Sequence, residues 1–222
     1  MKNYIKVSYK EKPLTDYPVR LVRELNIRFW LWKYVETKVL DLGCGRGEFL
    51  KAFAHLNAYA KVEGYDSDPD AKQLNKSFKI KIGKSYPLPY KDNTFHIVFC
   101  KSVIEHQYYP EELVQEVYRI LAPGGQFIVL TPDIDSIKTV FWVDFTHRTP
   151  FTLESLREIL EIYNFKNVYC NTFIQLPFTW DKPKWLVKII TTIFSLFYTK
   201  NSKNKYIKYS KEKMLLAVGQ KP

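Results

Sequence analysis

Residues 39 to 47, Val39-Leu40-Asp41-Leu42-Gly43-Cys44-Gly45-Arg46-Gly47, form an apolar run that carries one carboxylate and passes into a loop with glycine at every second position. A run this short and apolar reads as a buried strand. Alternating glycines let the backbone turn tightly and approach a ligand with no Cβ in between. A helix starting around Gly47 completes a strand-loop-helix unit.

Charge separates the nucleotide-type ligands that use such a loop. A dinucleotide fingerprint, Gly-x-Gly-x-x-Gly, needs its third glycine at position 48, where this chain has Glu48. Asp41 and Glu48 would set negative charge against a pyrophosphate at the helix N-terminus. S-adenosylmethionine carries no phosphate; its sulfonium and ammonium groups tolerate a carboxylate, and its own carboxylate can use the helix N–H groups. The loop Asp41, Gly43, Cys44, Gly45 and Gly47 therefore points to that cofactor. Lys61-Val62-Glu63-Gly64-Tyr65 reads as a second strand ending at Asp66, 25 residues after Asp41 and near the offset of a ribose-binding acid. Asp68 and Asp70 read as a solvated Asp-Pro turn with a helix starting at Pro69.

A second set of motifs follows. Pro87-Leu88-Pro89-Tyr90-Lys91-Asp92-Asn93-Thr94-Phe95-His96-Ile97-Val98-Phe99-Cys100 leads into Ser102-Val103-Ile104-Glu105-His106, and Ala122-Pro123-Gly124-Gly125 precedes the next apolar run. Over roughly residues 36 to 175 the chain resembles the class I S-adenosylmethionine-dependent methyltransferases of the broad small-molecule type. The resemblance implies a Rossmann-like, doubly wound α/β fold. Its seven-stranded sheet is mostly parallel with an antiparallel last strand, and a helical insertion lies between the last two strands. Lys101, at the end of the fourth strand, joins the implied cofactor set. Where such proteins commonly carry an acid that receives the adenine amino group, this chain has Lys84-Ser85, so adenine recognition would rest on the Ser85 hydroxyl, on backbone groups or on apolar stacking. His96 replaces a usual aspartate and reads as surface strand-entry chemistry.

Coarse periodicity agrees. Strands are expected near 38–42, 61–65, 78–82, 96–101, 126–131, 166–173 and 214–219, with helices at Pro110–Leu121 and after a Thr152 cap. A polar lead to about Pro18 and an apolar helix through Trp30 precede the core. With 222 residues and 46% hydrophobic content the natural prior is one domain: a cap over 1–35, a cofactor core over 36–173, an insertion over 174–212 and a last strand over 213–222. Three cysteines without metal spacing, and an N-terminus whose lysines interrupt any signal-peptide core, suit the cytoplasm.

The chemistry is expected at the carboxyl ends of the strands, where open α/β sheets bind ligands. Glu105-His106 follows strand four; Phe141-Trp142-Val143-Asp144-Phe145-Thr146-His147-Arg148 follows strand five. Asp-x-Thr-His followed by Pro-Phe-Thr recurs in resembling methyltransferases of cell-surface polysaccharide, lipid and quinone pathways. His147 is the first candidate for a general base, with Asp144 or Glu105 as its orienter; a structural hydrogen bond that shapes the loop is the competing role. His106, His147 and nearby acids could supply a metal site, but no ligand spacing demands one and no metal is expected.

The insertion is the least family-like segment. Trp185–Tyr198 is apolar but too short to span a bilayer. From Lys182 to Lys213, nine lysines against Glu212 alone account for eight of the chain's eleven net positive charges. Such a helix can lie in a membrane interface facing anionic lipid, or pack as a lid or dimer contact with its lysines solvated. The expected acceptor is small or lipid-linked; for the helix a lid or dimer contact outweighs membrane contact, and peripheral contact at the inner face of a membrane through 182–213 is the alternative. A pI near 9.4 also fits an RNA methyltransferase. Against that, no Asn/Asp-Pro-Pro-aromatic motif follows strand four. A non-catalytic cofactor-binding module is the third reading, prompted by Lys84. The sequence leaves the oligomeric state open.

Overall fold

In the computed structural model, which describes residues 4–9, 15–83, 86–199, 202 and 204–222, the chain forms α1 (Tyr4–Tyr9), α2 (Tyr17–Phe29), β1 (Lys38–Leu42), α3 (Glu48–Leu56), β2 (Lys61–Asp66), α4 (Asp70–Leu74) and β3 (Lys79–Ile82). The second half contains β4 (Phe95–Lys101), α5 (Pro110–Ile120), β5 (Leu121–Pro132), α6 (Ile134–Ile137), α7 (Leu153–Ile162), β6 (Lys166–Phe173), α8 (Lys184–Ser195), α9 (Lys205–Lys211) and β7 (Met214–Gln220). The strands pair in the order β3-β2-β1-β4-β5-β7-β6. The first five are parallel, and β7 runs antiparallel to both neighbours, β5 and β6.

The central strands are apolar on both faces because helices cover both faces. One layer packs Leu113, Val114, Val117, Leu156 and Leu160 from α5 and α7 on Leu40, Val98 and Val129. The other packs Leu21, Val22, Leu25 and Phe53 from α2 and α3 on Val39, Ile97, Phe99 and Ile128. Burying a side chain of this kind stabilises by about 1.5–3 kcal/mol. α7 starts on a reciprocal cap. The Thr152 Oγ1 accepts from the Ser155 N–H at 3.2 Å, and the Ser155 Oγ accepts from the Thr152 N–H at 3.0 Å.

Three details depart from the sequence reading. β5 begins at Leu121 rather than Gln126: Leu121 pairs with Phe95, and the ladder resumes at Ile97–Gln126 after a register shift that absorbs Ala122–Gly125. The polar lead contains a helix, α1, whose Ile5 is buried against Cys44, Leu50, Ala71 and Ile80. Asp68 and Asp70 are accordingly buried rather than solvated. The Asp68 carboxylate accepts the Ile5 and Asp70 N–H groups at 3.0 Å each, while Lys6 pairs with Asp70 at 3.1 Å. α4 begins at Asp70, with Pro69 as its cap.

One topological consequence bears on the site. Because β5 and β6 both run opposite to β7, the segment from 174 to 213 leaves and rejoins the sheet at its carboxyl edge. That is the edge where β1, β2 and β4 end.

Candidate active site

The loop after β1 is pinned to the end of β2. Gly43 and Cys44 donate their N–H groups to the Tyr65 carbonyl at 2.7 and 3.2 Å, and Gly45 donates to the Asp66 Oδ2 at 2.8 Å. Asn75 ties the same loop to α4, donating to the Gly45 and Ala71 carbonyls at 2.9 and 2.7 Å. The glycines serve two purposes. A Cβ on Gly43 would collide with Val103 and one on Gly47 with Asn75, so these are required by packing at positive φ. Beside Gly45 a Cβ would meet nothing within 4 Å, and that open face is where a ligand can approach.

The electrostatics of this cradle suit a cationic ligand. Asp41 is 2% exposed, and its Oδ2 has no hydrogen-bond partner among the described residues. Burial, with Asp66 nearby, pushes its carboxyl up to about 8, opposed by Lys101. An unpartnered buried carboxylate is costly, and an ammonium group relieves that cost. Asp66 is held by the Gly45 and Asp68 N–H groups, the latter at 2.8 Å on Oδ1, so its carboxylate is oriented before any ribose arrives. Burial raises its pKa as well. Glu48 is ion-paired with Arg46 and so sets less charge against the loop than the sequence suggests. Lys84 and Ser85, the adenine-side candidates, lie outside the described residues.

At the same edge the segments after β4 and β5 meet. Ile104–His106 is a 3₁₀ turn, and the loop 144–149 is strapped onto it: the Arg148 and Thr149 N–H groups donate to the Glu105 carbonyl at 2.8 and 3.0 Å, and the Thr149 Oγ1 donates to the Gln107 carbonyl at 2.8 Å. This brings the His106 and His147 rings to 4.9 Å. Glu105 is fully buried, its Oε2 accepts from the Thr131 hydroxyl at 3.0 Å, and burial lifts its carboxyl to about 7.

Hydrogen bonds set the tautomers of both rings. The His147 Nδ1 faces the Phe141 carbonyl at 2.6 Å, which can only accept, so Nδ1 carries the proton and the lone pair is left on Nε2. The Thr146 hydroxyl donates to the Asp144 Oδ1 at 2.5 Å, so at 2.9 Å from the His106 Nδ1 it accepts, and the lone pair of that ring is also on Nε2. Burial, then the neighbouring His147, lowers the His106 pKa and keeps that ring neutral. Burial opposes ionisation of Asp144, but its bonds from Thr146 carry the net shift below the usual range. The orienter of His147 thus differs from the sequence expectation. The Phe141 carbonyl performs that task, while Asp144 acts on Thr146 and stands 4.0 Å from the His147 Nε2. Nothing in the local pattern marks Phe141 or Thr146 for these parts. His96, as expected, belongs to strand entry: its Nδ1 accepts the Lys38 N–H at 3.1 Å and its ring lies 4.5 Å from Tyr34.

A strand-loop-helix cradle beside a carboxylate-bearing second strand, in a sheet of this order, defines a Rossmann-like methyltransferase. The model of the family "Methyltransferase domain" matches residues 15–169, and the chain belongs to this family, the S-adenosylmethionine-dependent class I methyltransferases. An uncharacterized protein of Methanocaldococcus jannaschii is 35% identical over 200 residues, 85% of this chain and 80% of that protein. The demethylmenaquinone methyltransferase of Lactiplantibacillus plantarum is 33% identical over 126 residues, 50% of this chain and 53% of its own length. Among solved structures, an S-adenosylmethionine-dependent methyltransferase of Archaeoglobus fulgidus superposes with a TM-score of 0.62 at 21% identity, covering 91% of this chain and 94% of that one.

Proposed function

We propose that the chain transfers a methyl group from S-adenosylmethionine to a nucleophile on an amphipathic or lipid-linked acceptor, of the kind found in quinone or cell-envelope glycan pathways. The observation that carries this reading is the pairing of the two sites at one sheet edge. A cradle for a cationic cofactor lies at the ends of β1 and β2, and two imidazoles with Nε2 lone pairs follow β4 and β5. When bound, the cofactor supplies an electrophilic methyl carbon on its sulfonium. Asp41 would hold its ammonium group and Asp66 its ribose, with the open face of Gly45 leaving room for the chain between them. His147, with its lone pair on Nε2, would accept the proton that the acceptor loses on methylation. Orientation supplies most of the remaining rate for such an in-line displacement.

The surface around the imidazoles favours an apolar acceptor. Trp142, Val143 and Phe145, all within two residues of Asp144, are 58%, 79% and 81% exposed and form an apolar patch beside the imidazoles. The insertion adds a second apolar face at the same edge: Trp185, Ile189 and Ile193 of α8, with Leu196 and Phe197 beyond it, form an exposed stripe at helical spacing. Among the described residues no helix is long and apolar enough to cross a membrane, so contact along the surface is the mode that α8 supports. The similarity to a demethylmenaquinone methyltransferase points the same way. Incubating the purified protein and cofactor with cell-envelope extracts and with total RNA, and following methyl incorporation by mass spectrometry, tests the proposal. Methylation of an envelope lipid or quinone supports it. Methylation confined to RNA overturns it, as does absence of any product.

A further inference from the structure

We propose that Glu105, His106 and His147 form a binding site for a divalent transition-metal ion of the zinc class. One carboxylate oxygen of Glu105 and one ring nitrogen of each histidine lie within 4.8 Å of one another. The spacing along the chain gives no hint of this, because residues 105–106 and 147 meet only through the strap of loop 144–149 on the 3₁₀ turn.

Two independent observations point to a ligand. Glu105 is fully buried, yet its Oε1 has no hydrogen-bond partner among the described residues, while Oε2 is satisfied by Thr131. A native interior seldom leaves such an oxygen unpaired unless something binds there. Both imidazoles, moreover, are arranged as metal-ligating histidines are. Each has its Nδ1–H engaged by a fixed acceptor, the Phe141 carbonyl or the Thr146 hydroxyl backed by Asp144, so each directs its Nε2 lone pair away from that partner. A metal about 2.0–2.2 Å from each ligand would draw the three atoms to roughly 3.4 Å apart, a closure within reach of side-chain torsions.

The donor set selects the ion. Two neutral imidazoles and one carboxylate suit zinc, iron or nickel, whereas magnesium and calcium take oxygen ligands. Three protein ligands leave a coordination position open, the arrangement of catalytic rather than structural zinc sites. The inference deepens the proposed acceptor chemistry. In the loaded protein the His147 Nε2 would be a ligand rather than the base; the ion would lower the pKa of an acceptor hydroxyl at its open position, and that proton would pass to solvent water.

The test reads metal binding on the protein alone, so its failure is distinguishable from failure of the methyl-transfer reading. Full-length, chelator-treated protein is titrated with zinc chloride by calorimetry and with cobalt chloride by visible absorption. We expect one ion per chain, micromolar or tighter zinc affinity, a cobalt spectrum of low coordination number, and no displacement by millimolar magnesium. His106→Ala and His147→Ala should each weaken zinc binding at least about 100-fold, at the upper end of or beyond what loss of an outer partner costs. His55→Ala, at the far end of α3, should retain it. Thermal unfolding of the unmodified protein provides a second measurement that needs no variant: zinc should raise the midpoint in a concentration-dependent way and magnesium should not. Substoichiometric binding, displacement by magnesium, undiminished affinity in both histidine variants, or a midpoint indifferent to zinc would each overturn the site.

Discussion

The Thr146 hydroxyl lies 2.9 Å from the Nδ1 of His106 and donates its one hydrogen bond to Asp144, so a residue forty positions away in the chain sets the tautomer of that histidine. Replacing Thr146 with Val keeps the shape and removes the acceptor. His106 is then no longer held in the Nδ1–H form, and steady-state kinetics should show a turnover number about 10- to 100-fold lower, as for other outer partners of functional histidines. Cofactor affinity should stay within about twofold, because Thr146 belongs to the acceptor side.

His147→Ala should cost roughly 10²–10⁴ in turnover, the contribution of a positioned base, with cofactor affinity again nearly unchanged. Full activity in that variant would remove His147 from the chemistry.

Asp41 makes cofactor binding pH-dependent. Its carboxyl is raised by burial to about 8 in the ligand-free protein, so near neutrality it is protonated there, and an ammonium group favours its ionised form. Binding should therefore release a proton below about pH 8 and cease to do so above it. Calorimetry in buffers of different ionisation enthalpy measures this, and Asp41→Asn should abolish the release. The same raised value means that Asp41 contributes stability at acid pH which is lost as pH rises through about 8.

Gly45→Arg fills the open face of the cradle without displacing a neighbour, since no atom lies within 4 Å of its Cβ direction. The variant should remain folded, at a cost of about 1–2 kcal/mol for its positive φ, yet lose S-adenosylhomocysteine binding in calorimetry. Asp66→Ala should weaken that binding by about 1.5–3 kcal/mol, the range for a charged hydrogen-bonding partner.

The insertion should bind anionic vesicles more tightly than neutral ones, and less so as salt rises, because exposed charges are screened over about 10 Å at 0.1 M ionic strength. Changing the lysines at 205 and 208 on α9, together with those at 200 and 203, which lie outside the described residues, to glutamine should reduce vesicle binding in a sedimentation assay and leave cofactor binding intact. Equal binding to both vesicle types, with salt-sensitive binding to RNA, would favour a nucleic-acid acceptor instead.

What the amino-acid sequence determines by itself are the features carried by short-range pattern. The apolar run into Gly43-x-Gly45-x-Gly47, the carboxylates at positions 41 and 66, the strand positions to within a few residues and the Thr152 cap are all legible because each depends on neighbours within one turn or one strand. The Pro123-Gly124-Gly125 stretch was legible as punctuation, but its place inside β5 depends on pairing with Phe95. Only the tertiary structure decides that Asp68 is buried, since the group that covers it, Ile5, lies 63 residues away. Only it gives the orientation of His147 to the Phe141 carbonyl and leaves the Asp41 Oδ2 and the Glu105 Oε1 buried without partners among the described residues. It alone brings Glu105, His106 and His147 within 4.8 Å. These are relations between segments that a periodic pattern does not connect, settled by how the loops after β4 and β5 close on one another at the edge of the sheet.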